Sequence, residues 1–273
     1  MTDARSTPGL VFYPESDGQP MTESDATRDY LIYCVEVLRL YFQSRRQVYV
    51  SGNLFIYYQE GNPQAVVSPD VFVIFGVNNR QRRSYKTWQE GGKLPAFILE
   101  VTSFSTRKQD EVEKPSLYAR LGVQEYFQYD PTADYLNPQL KGRCLREGQY
   151  EPLAVEYTAD QTPFIHSAVL GLDLQLQTPV QQGLGVAPLP KELRFYDPQT
   201  GMKLLSRQEV EQARDLAQQE RDLAQQERDL AQQERDLAQQ ERNLAQQERD
   251  LAQQRAEQLA ARLRELGLDP DQG

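Results

Sequence analysis

From Arg214 onward the chain repeats a seven-residue unit, Arg-Asp-Leu-Ala-Gln-Gln-Glu, and no other sequence feature constrains its fold as strongly. The unit returns at Arg221, Arg228 and Arg235, and with one change each at Arg242 (Asn243 for Asp) and Arg249 (Arg255 for Glu). Nearly all of its residue types are good helix formers, and neither Gly nor Pro interrupts it. Ser206-Arg207-Gln208-Glu209 has capping-box spacing before the run, and Gly267 followed by Pro270 supplies a stop. This predicts one helix from about Arg207 to Leu266, roughly 90 Å long at ~1.5 Å per residue. Leu216, Leu223, Leu230, Leu237, Leu244 and Leu251 fall every seven residues, the period of a left-handed coiled coil. The second seam position would be Gln or Glu, however, so the seam is weak. Asp215 and Gln219 can pair at i,i+4, which supports even a single helix. The pattern leaves two readings open, an oligomerisation or docking arm and a solvated helix without a partner.

The tail also carries most of the net charge. The chain has a net charge of -10, and from Ser206 onward ten basic residues face sixteen acidic ones. The preceding 205 residues, with 20 basic and 24 acidic, are close to neutral. This argues against a non-specific nucleic-acid coat but not against a nuclease with one local basic patch. Two cysteines, Cys34 and Cys144, cannot form a disulfide framework, and with the single histidine His166 they exclude a Cys/His zinc site. No apolar run approaches the ~20 residues that span a bilayer, and Met1 to Pro20 lacks the pattern of a secretory leader. A cytoplasmic protein with no membrane partner is the expectation.

Residues 1–205 read as one mixed α/β domain, with 206–273 as a separate helical tail. Thr27 to Phe42 places Leu31, Val35, Leu38 and Phe42 at helical spacing. Gln47 to Tyr58 is rich in strand-forming residues. Asp70 to Val77 and Ala96 to Thr102 are short apolar runs of buried-strand type. Gln109 to Leu121 looks helical, with Pro115 best suited to a first turn. Glu125 to Tyr129 is an aromatic strand, Arg143 to Val155 a hairpin about Glu147-Gly148, and Pro179 to Pro190 an irregular connection.

Two carboxylates stand out against this background. Asp70 opens one apolar strand after Pro69, and Glu100 sits inside the next between Leu99 and Val101. A lone carboxylate in such a strand costs several kcal/mol unless it is paired or binds a metal. Adjacent strands would bring the two together and raise one pKa, and a divalent cation relieves that repulsion. A few hard oxygen ligands completed by water and phosphate are what Mg²⁺ uses, with Mn²⁺ as a substitute. Such an ion polarises a scissile phosphate and generates hydroxide. A lysine near the phosphate completes the chemistry. Asp110, Lys114 and Tyr118 recur at i, i+4 and i+8, so a helix through Pro115 would present Lys114 on the face shared by all three. Arg80, Arg82 and Arg83, followed by Lys86, form the densest basic stretch and are candidates for phosphate contact. Trp88 and Cys34 read as packing residues, and His166 as structural.

Ser68-Pro69-Asp70-Val71, Leu99-Glu100-Val101-Thr102-Ser103 with Ser105-Thr106, and Asp110…Lys114…Tyr118…Gly122-Val123-Gln124-Glu125-Tyr126 resemble the Uma-type family of putative restriction endonucleases. The resemblance continues through Gly171-Leu172, Leu193-Arg194-Phe195-Tyr196-Asp197 and Leu266-Gly267-Leu268-Asp269-Pro270. It implies a restriction-endonuclease-like, PD-(D/E)xK core. Asp70 and Glu100 would then be metal ligands, with the Val101 carbonyl completing the set, and Lys114 would be the catalytic lysine relocated to a helix. Asp110 and Tyr118 become supporting or substrate contacts, and Thr102 stands where the usual pattern has lysine. The implied activity is a Mg²⁺-dependent endonuclease acting on DNA, with RNA also open, as a homodimer. Because of Thr102, the alternative is an inactive nuclease fold that works as a scaffold through its tail.

Overall fold

The computed structural model describes residues 11–14, 24–104, 106–178 and 190–265. Its elements begin with helix α1 (Asp25–Tyr41) and strands β1 (Val48–Ser51), β2 (Ile56–Tyr57), β3 (Val66–Val67), β4 (Val71–Phe75), β5 (Tyr85–Lys86) and β6 (Phe97–Val101). Helix α2 (Lys114–Arg120) is followed by β7 (Glu125–Tyr129), β8 (Leu140–Arg146), β9 (Gln149–Pro152), β10 (Glu156–Tyr157) and β11 (Pro163–Ser167). Strands β12 (Leu172–Gln177), β13 (Glu192–Asp197) and β14 (Met202–Lys203) lead into helix α3 (Arg207–Glu265). Ser105, most of Met1–Pro20, the connection at 179–189 and the closing 266–270 segment with its Gly267 and Pro270 stop lie outside the described residues.

The apolar runs become the centre of a six-stranded sheet ordered β1-β4-β6-β7-β8-β9. The β6 and β7 strands are parallel and their other neighbours antiparallel. A parallel pair needs a crossover, which here is the helical stretch ending in α2. Strand alternation then divides the side chains between two faces. Val71, Val73, Phe97, Leu99, Val101, Phe127 and Tyr129 point toward α1 and toward Leu172, Leu174, Leu193 and Phe195 of a second, five-stranded sheet. Phe72, Ile74, Ile98 and Tyr126 point the other way, toward Tyr118 of α2 and toward Ile56 and Tyr85 of a small β3-β2-β5 sheet. Buried Glu125 on β7 ties the two larger sheets together, accepting from Ser167 Oγ at 2.5 Å and Ala168 N at 2.9 Å. The architecture is the mixed α/β class predicted from the sequence, with a long C-terminal helix.

Gln47 to Tyr58 is not one strand. It breaks after β1 at Gly52 and at Asn53, whose φ is 44°. A Cβ on Gly52 would lie 2.1 Å from the Asp70 carbonyl oxygen and 2.9 Å from Val35 Cγ2, so only glycine lets the chain pass this close to the residue before β4. Gly52→Ala is therefore expected to cost about 1–3 kcal/mol by chemical denaturation. Unchanged stability would contradict the packing described. The hairpin at Glu147-Gly148 forms as predicted, with both residues at positive φ, 48° and 80°.

Contacts divide the chain into two compact units, Met1–Gln208 and Glu209–Gly273. In the second, the repeat leucines from Leu216 to Leu251 are 54–60% exposed. Gln218 Nε2 donates to Asp222 Oδ1 at 2.8 Å, and the same pair recurs at Gln225–Asp229, Gln232–Asp236 and Gln246–Asp250. The stabilising i,i+4 pair thus runs from the first glutamine of each Gln-Gln pair to the next Asp, and not from Asp215 to Gln219. An amide donor placed before its acceptor is the favourable order. Among the described residues no helix is long and apolar enough to cross a membrane.

Candidate active site

Register brings the two carboxylates together. In the antiparallel β4/β6 pair Val71 faces Leu99, and one step further along the same register sets Asp70 opposite Glu100. Both sit on the sheet face that α2 covers. Asp70 Oδ2 accepts from Val101 N at 2.9 Å, while the Asp70 N–H points to Glu100 Oε2 at 3.4 Å. Glu100 is 0% exposed, and its Oε1 accepts from the Tyr118 hydroxyl at 2.8 Å.

The lysine arrives from the helical crossover. A wide π-type turn at Gln109–Glu113 runs directly into α2, and Pro115 occupies its first turn, where no intrahelical N–H is required. The helix therefore continues through Pro115, and Lys114 reaches two carboxylates, Glu100 Oε2 at 2.9 Å and Asp110 Oδ1 at 2.7 Å. Asp110, buried on the π-type turn, takes a hydrogen bond from Thr102 Oγ1 at 2.6 Å through its other oxygen. Thr102 Oγ1 also contacts the Tyr135 hydroxyl. The backbone carbonyl of Asp110 is fixed by Tyr126 Oη at 2.7 Å and Gln128 Nε2 at 3.0 Å. Thr102, at the position where lysine is usual, thus holds the aspartate that holds Lys114.

The charges explain the chemistry available. Burial, followed by the charge of Glu100, pushes the Asp70 carboxyl well above its ordinary range; Lys114 and the Val101 N–H offset only part of this. The two carboxyls are within hydrogen-bonding reach of one another, so they share a proton or need a cation. Burial alone would lower the Lys114 pKa, but Glu100, Asp110 and Asp70 outweigh it and keep the amine charged. Lys114 is thus a donor and a positive charge, not a base. Burial and Glu100 raise Tyr118 well above the ordinary tyrosine value, so it stays a hydrogen-bond donor.

Among the described residues no group of three or more His, Cys, Asp or Glu side chains is placed to hold a metal. Asp70 and Glu100, with a main-chain oxygen such as that of Val101, are a sparser hard-oxygen set of the kind Mg²⁺ accepts with water. The two carboxyls that the β4/β6 register sets opposite one another are the geometry that fits a divalent cation there.

The other expected site residues make contacts within the fold. Tyr118 is 1% exposed and its hydroxyl donates to Glu100. Arg82 is engaged within the fold. Its side chain is 5% exposed, donates through Nε to Glu90 at 2.9 Å, and stacks 4.3 Å over the Tyr49 ring. Arg80 pairs with the same Glu90 at 2.8 Å, and Arg83 is exposed on that loop. Glu90, eight residues downstream of Arg82, thus ties two of the four basic residues of this stretch into a structural clamp. Trp88 packs 5.2 Å from the Tyr13 ring, and Cys34 is in the core, both as expected. His166 pairs across β11 and β12 with Asp173, Nδ1 to Oδ1 at 2.7 Å, a structural role. The sequence reading missed Phe104 and Arg107, which follow Thr102 closely. Phe104 is 56% exposed and the Arg107 guanidinium stacks 3.9 Å from its ring centroid. An aromatic residue and an arginine three apart, directly after a site strand, was the available signal.

A crystal structure of "a putative nuclease belonging to DUF820 from Anabaena variabilis ATCC 29413" is 15% identical, with 52% of this chain and 75% of that chain covered and a TM-score of 0.36. No curated protein matches the chain. The family model Uma2, described as "Putative restriction endonuclease", matches residues 16–179, which contain Asp70, Glu100, Thr102, Asp110, Lys114 and Tyr118. With more than half of its length matched, the chain belongs to the Uma2 family of restriction-endonuclease-like nucleases.

Proposed function

We propose that residues 1–205 form a metal-dependent endonuclease that hydrolyses phosphodiester bonds in DNA. The observation that carries this reading is the Asp70–Glu100 carboxyl pair with Lys114 bridging Glu100 and Asp110. Asp70, Glu100 and the Val101 carbonyl would hold Mg²⁺ or Mn²⁺, which when bound supplies Lewis-acid polarisation and a lowered water pKa. Lys114 donates to the water or to the charge that develops on phosphate, and its raised pKa keeps it protonated for that duty. Thr102 and Asp110 set its position, and Tyr118 fixes the Glu100 rotamer. Phe104 and Arg107 form the exposed pair nearest in sequence to this site, suited to base stacking and phosphate contact. Cutting both strands of a duplex takes two such sites, which is the ground for expecting two copies on one substrate.

Incubation with supercoiled plasmid and Mg²⁺ should give nicked and linear forms that EDTA suppresses, and labelled RNA in the same assay separates the two substrates. Cleavage that survives EDTA would sink the metal assignment. Arg107→Ala is expected to raise KM about tenfold with little change in kcat, since it removes one phosphate contact and leaves the carboxylates in place. An effect confined to kcat would overturn that role.

Metal binding carries its own pH signature. Asp70 must lose a proton whose affinity is raised by burial and by Glu100. Mn²⁺ binding should therefore release protons and weaken as pH falls from about 8 to about 5. Calorimetry in buffers of different ionisation enthalpy reads both effects, and equal affinity across that range would contradict the assignment.

A further inference from the structure

We infer that α3 is built to pair with a basic amphipathic helix of another protein, and not with a second copy of itself. The repeat leucines form a single file from Leu216 to Leu251, each more than half exposed. With Leu216 at coiled-coil position a, Gln219 takes d, Glu220 takes e and Asp222 takes g, while Arg221 falls at f on the far side. The heptads repeat this arrangement, with Asn243 for Asp at one g position, so carboxylates border the apolar file on both sides over most of roughly 50 Å at ~1.5 Å per residue.

The helix does not neutralise these carboxylates itself. From Arg221 to Arg249 no arginine lies three or four residues from an acid, the spacing a helical ion pair needs. Asp222 and its equivalents accept only from glutamine amides. Glu220, Glu227, Glu234, Glu241 and Glu248 form no ion pair among the described residues. A second copy would set Asp against Glu in a parallel pair, and Glu against Glu and Asp against Asp in an antiparallel one. Moving leucine to position d instead buries Glu220 in the seam. Each alignment is repulsive at neutral pH. A helix with aliphatic residues at a and d and Lys or Arg at e and g satisfies both the leucine file and its acidic borders.

The test uses the full chain at neutral pH and low salt. The probe is a five-heptad peptide with Leu at a and d and Lys at e and g. Two control peptides carry Glu at e and g, or Ser at a and d. The Lys/Leu peptide should bind, and weaken about tenfold or more when salt rises from ~0.05 to ~0.5 M. Neither control peptide should bind. The Leu223→Ser, Leu230→Ser, Leu237→Ser variant should lose binding with no change in its own sedimentation mass. A neutral-pH oligomer that this triple variant dissolves would overturn the inference. So would failure of the Lys/Leu peptide to bind, or equal binding of the Ser peptide, which would reduce the effect to charge alone.

Discussion

Asp70→Asn is expected to abolish metal-dependent cleavage and, at neutral pH, to make the protein more resistant to denaturation. The two effects share one cause. Burial and the charge of Glu100 raise the Asp70 pKa above its unfolded value. A group raised in this way contributes stability below its unfolded pKa and loses it as pH rises through its folded pKa. At neutral pH, where the unfolded carboxyl is ionised, the raised affinity of Asp70 for its proton therefore works against folding unless a cation is bound. Asparagine keeps the size, removes the charge and removes a metal ligand. Cleavage should fall by about 10³-fold or more, the scale of losing several kcal/mol of charge stabilisation. The Tm should rise at pH 7, and the gain should shrink as pH approaches about 4, where both side chains are neutral. A lower Tm at neutral pH would show that the Asp70 charge supports the fold. Retained cleavage would remove it from the site.

Lys114→Met separates the opposite charge from the carboxylates. Its amine joins Glu100 and Asp110, both buried, and its side chain is 26% exposed. Breaking a buried ion pair from one side typically costs 3–5 kcal/mol, and about 3 kcal/mol is expected here because the amine keeps some contact with water. Added Mn²⁺ should recover part of that loss, since a cation beside Glu100 replaces the missing charge. Cleavage should fall by about 10²–10³-fold while Mn²⁺ binding is retained. Calorimetry and single-turnover cleavage, at a temperature where the variant is folded, distinguish this from loss of the metal. If Mn²⁺ binding disappears along with cleavage, Lys114 organises the ligands and does not act on the phosphate.

The central strands were legible because their signal is local. Val71–Phe75, Phe97–Val101 and Glu125–Tyr129 are apolar or aromatic pentapeptides, and a sheet covered on both faces needs such runs. Asp70 and Glu100 stood out for the same reason, as carboxylates that such strands tolerate only with partners. Their opposition depends on register, which the antiparallel pairing of Val71 with Leu99 supplies and composition does not. What could not be read depends on distant partners. Arg82 looked free until Glu90 folded onto it, and only the Glu100 contact shows which group the Tyr118 hydroxyl meets. Thr102 looked like a lost lysine, yet it hydrogen-bonds to Asp110, which grips Lys114. The β10–β14 sheet was missed although Leu172–Gln177 and Glu192–Asp197 alternate apolar with polar residues, because a half-exposed strand of this kind contains no continuous apolar run. The tail helix was plain from its repeat, while its i,i+4 pairing depended on donor order.

The most direct measurement is Mg²⁺- or Mn²⁺-dependent cleavage of plasmid DNA by the wild type, Asp70→Asn and Glu100→Gln, assayed side by side. The account predicts nicking or linearisation by the wild type, suppressed by EDTA and lost in both variants, each of which stays folded by circular dichroism. A wild type that neither cleaves nor binds Mn²⁺ would contradict it, leaving the nuclease fold as a scaffold and the tail as its working part.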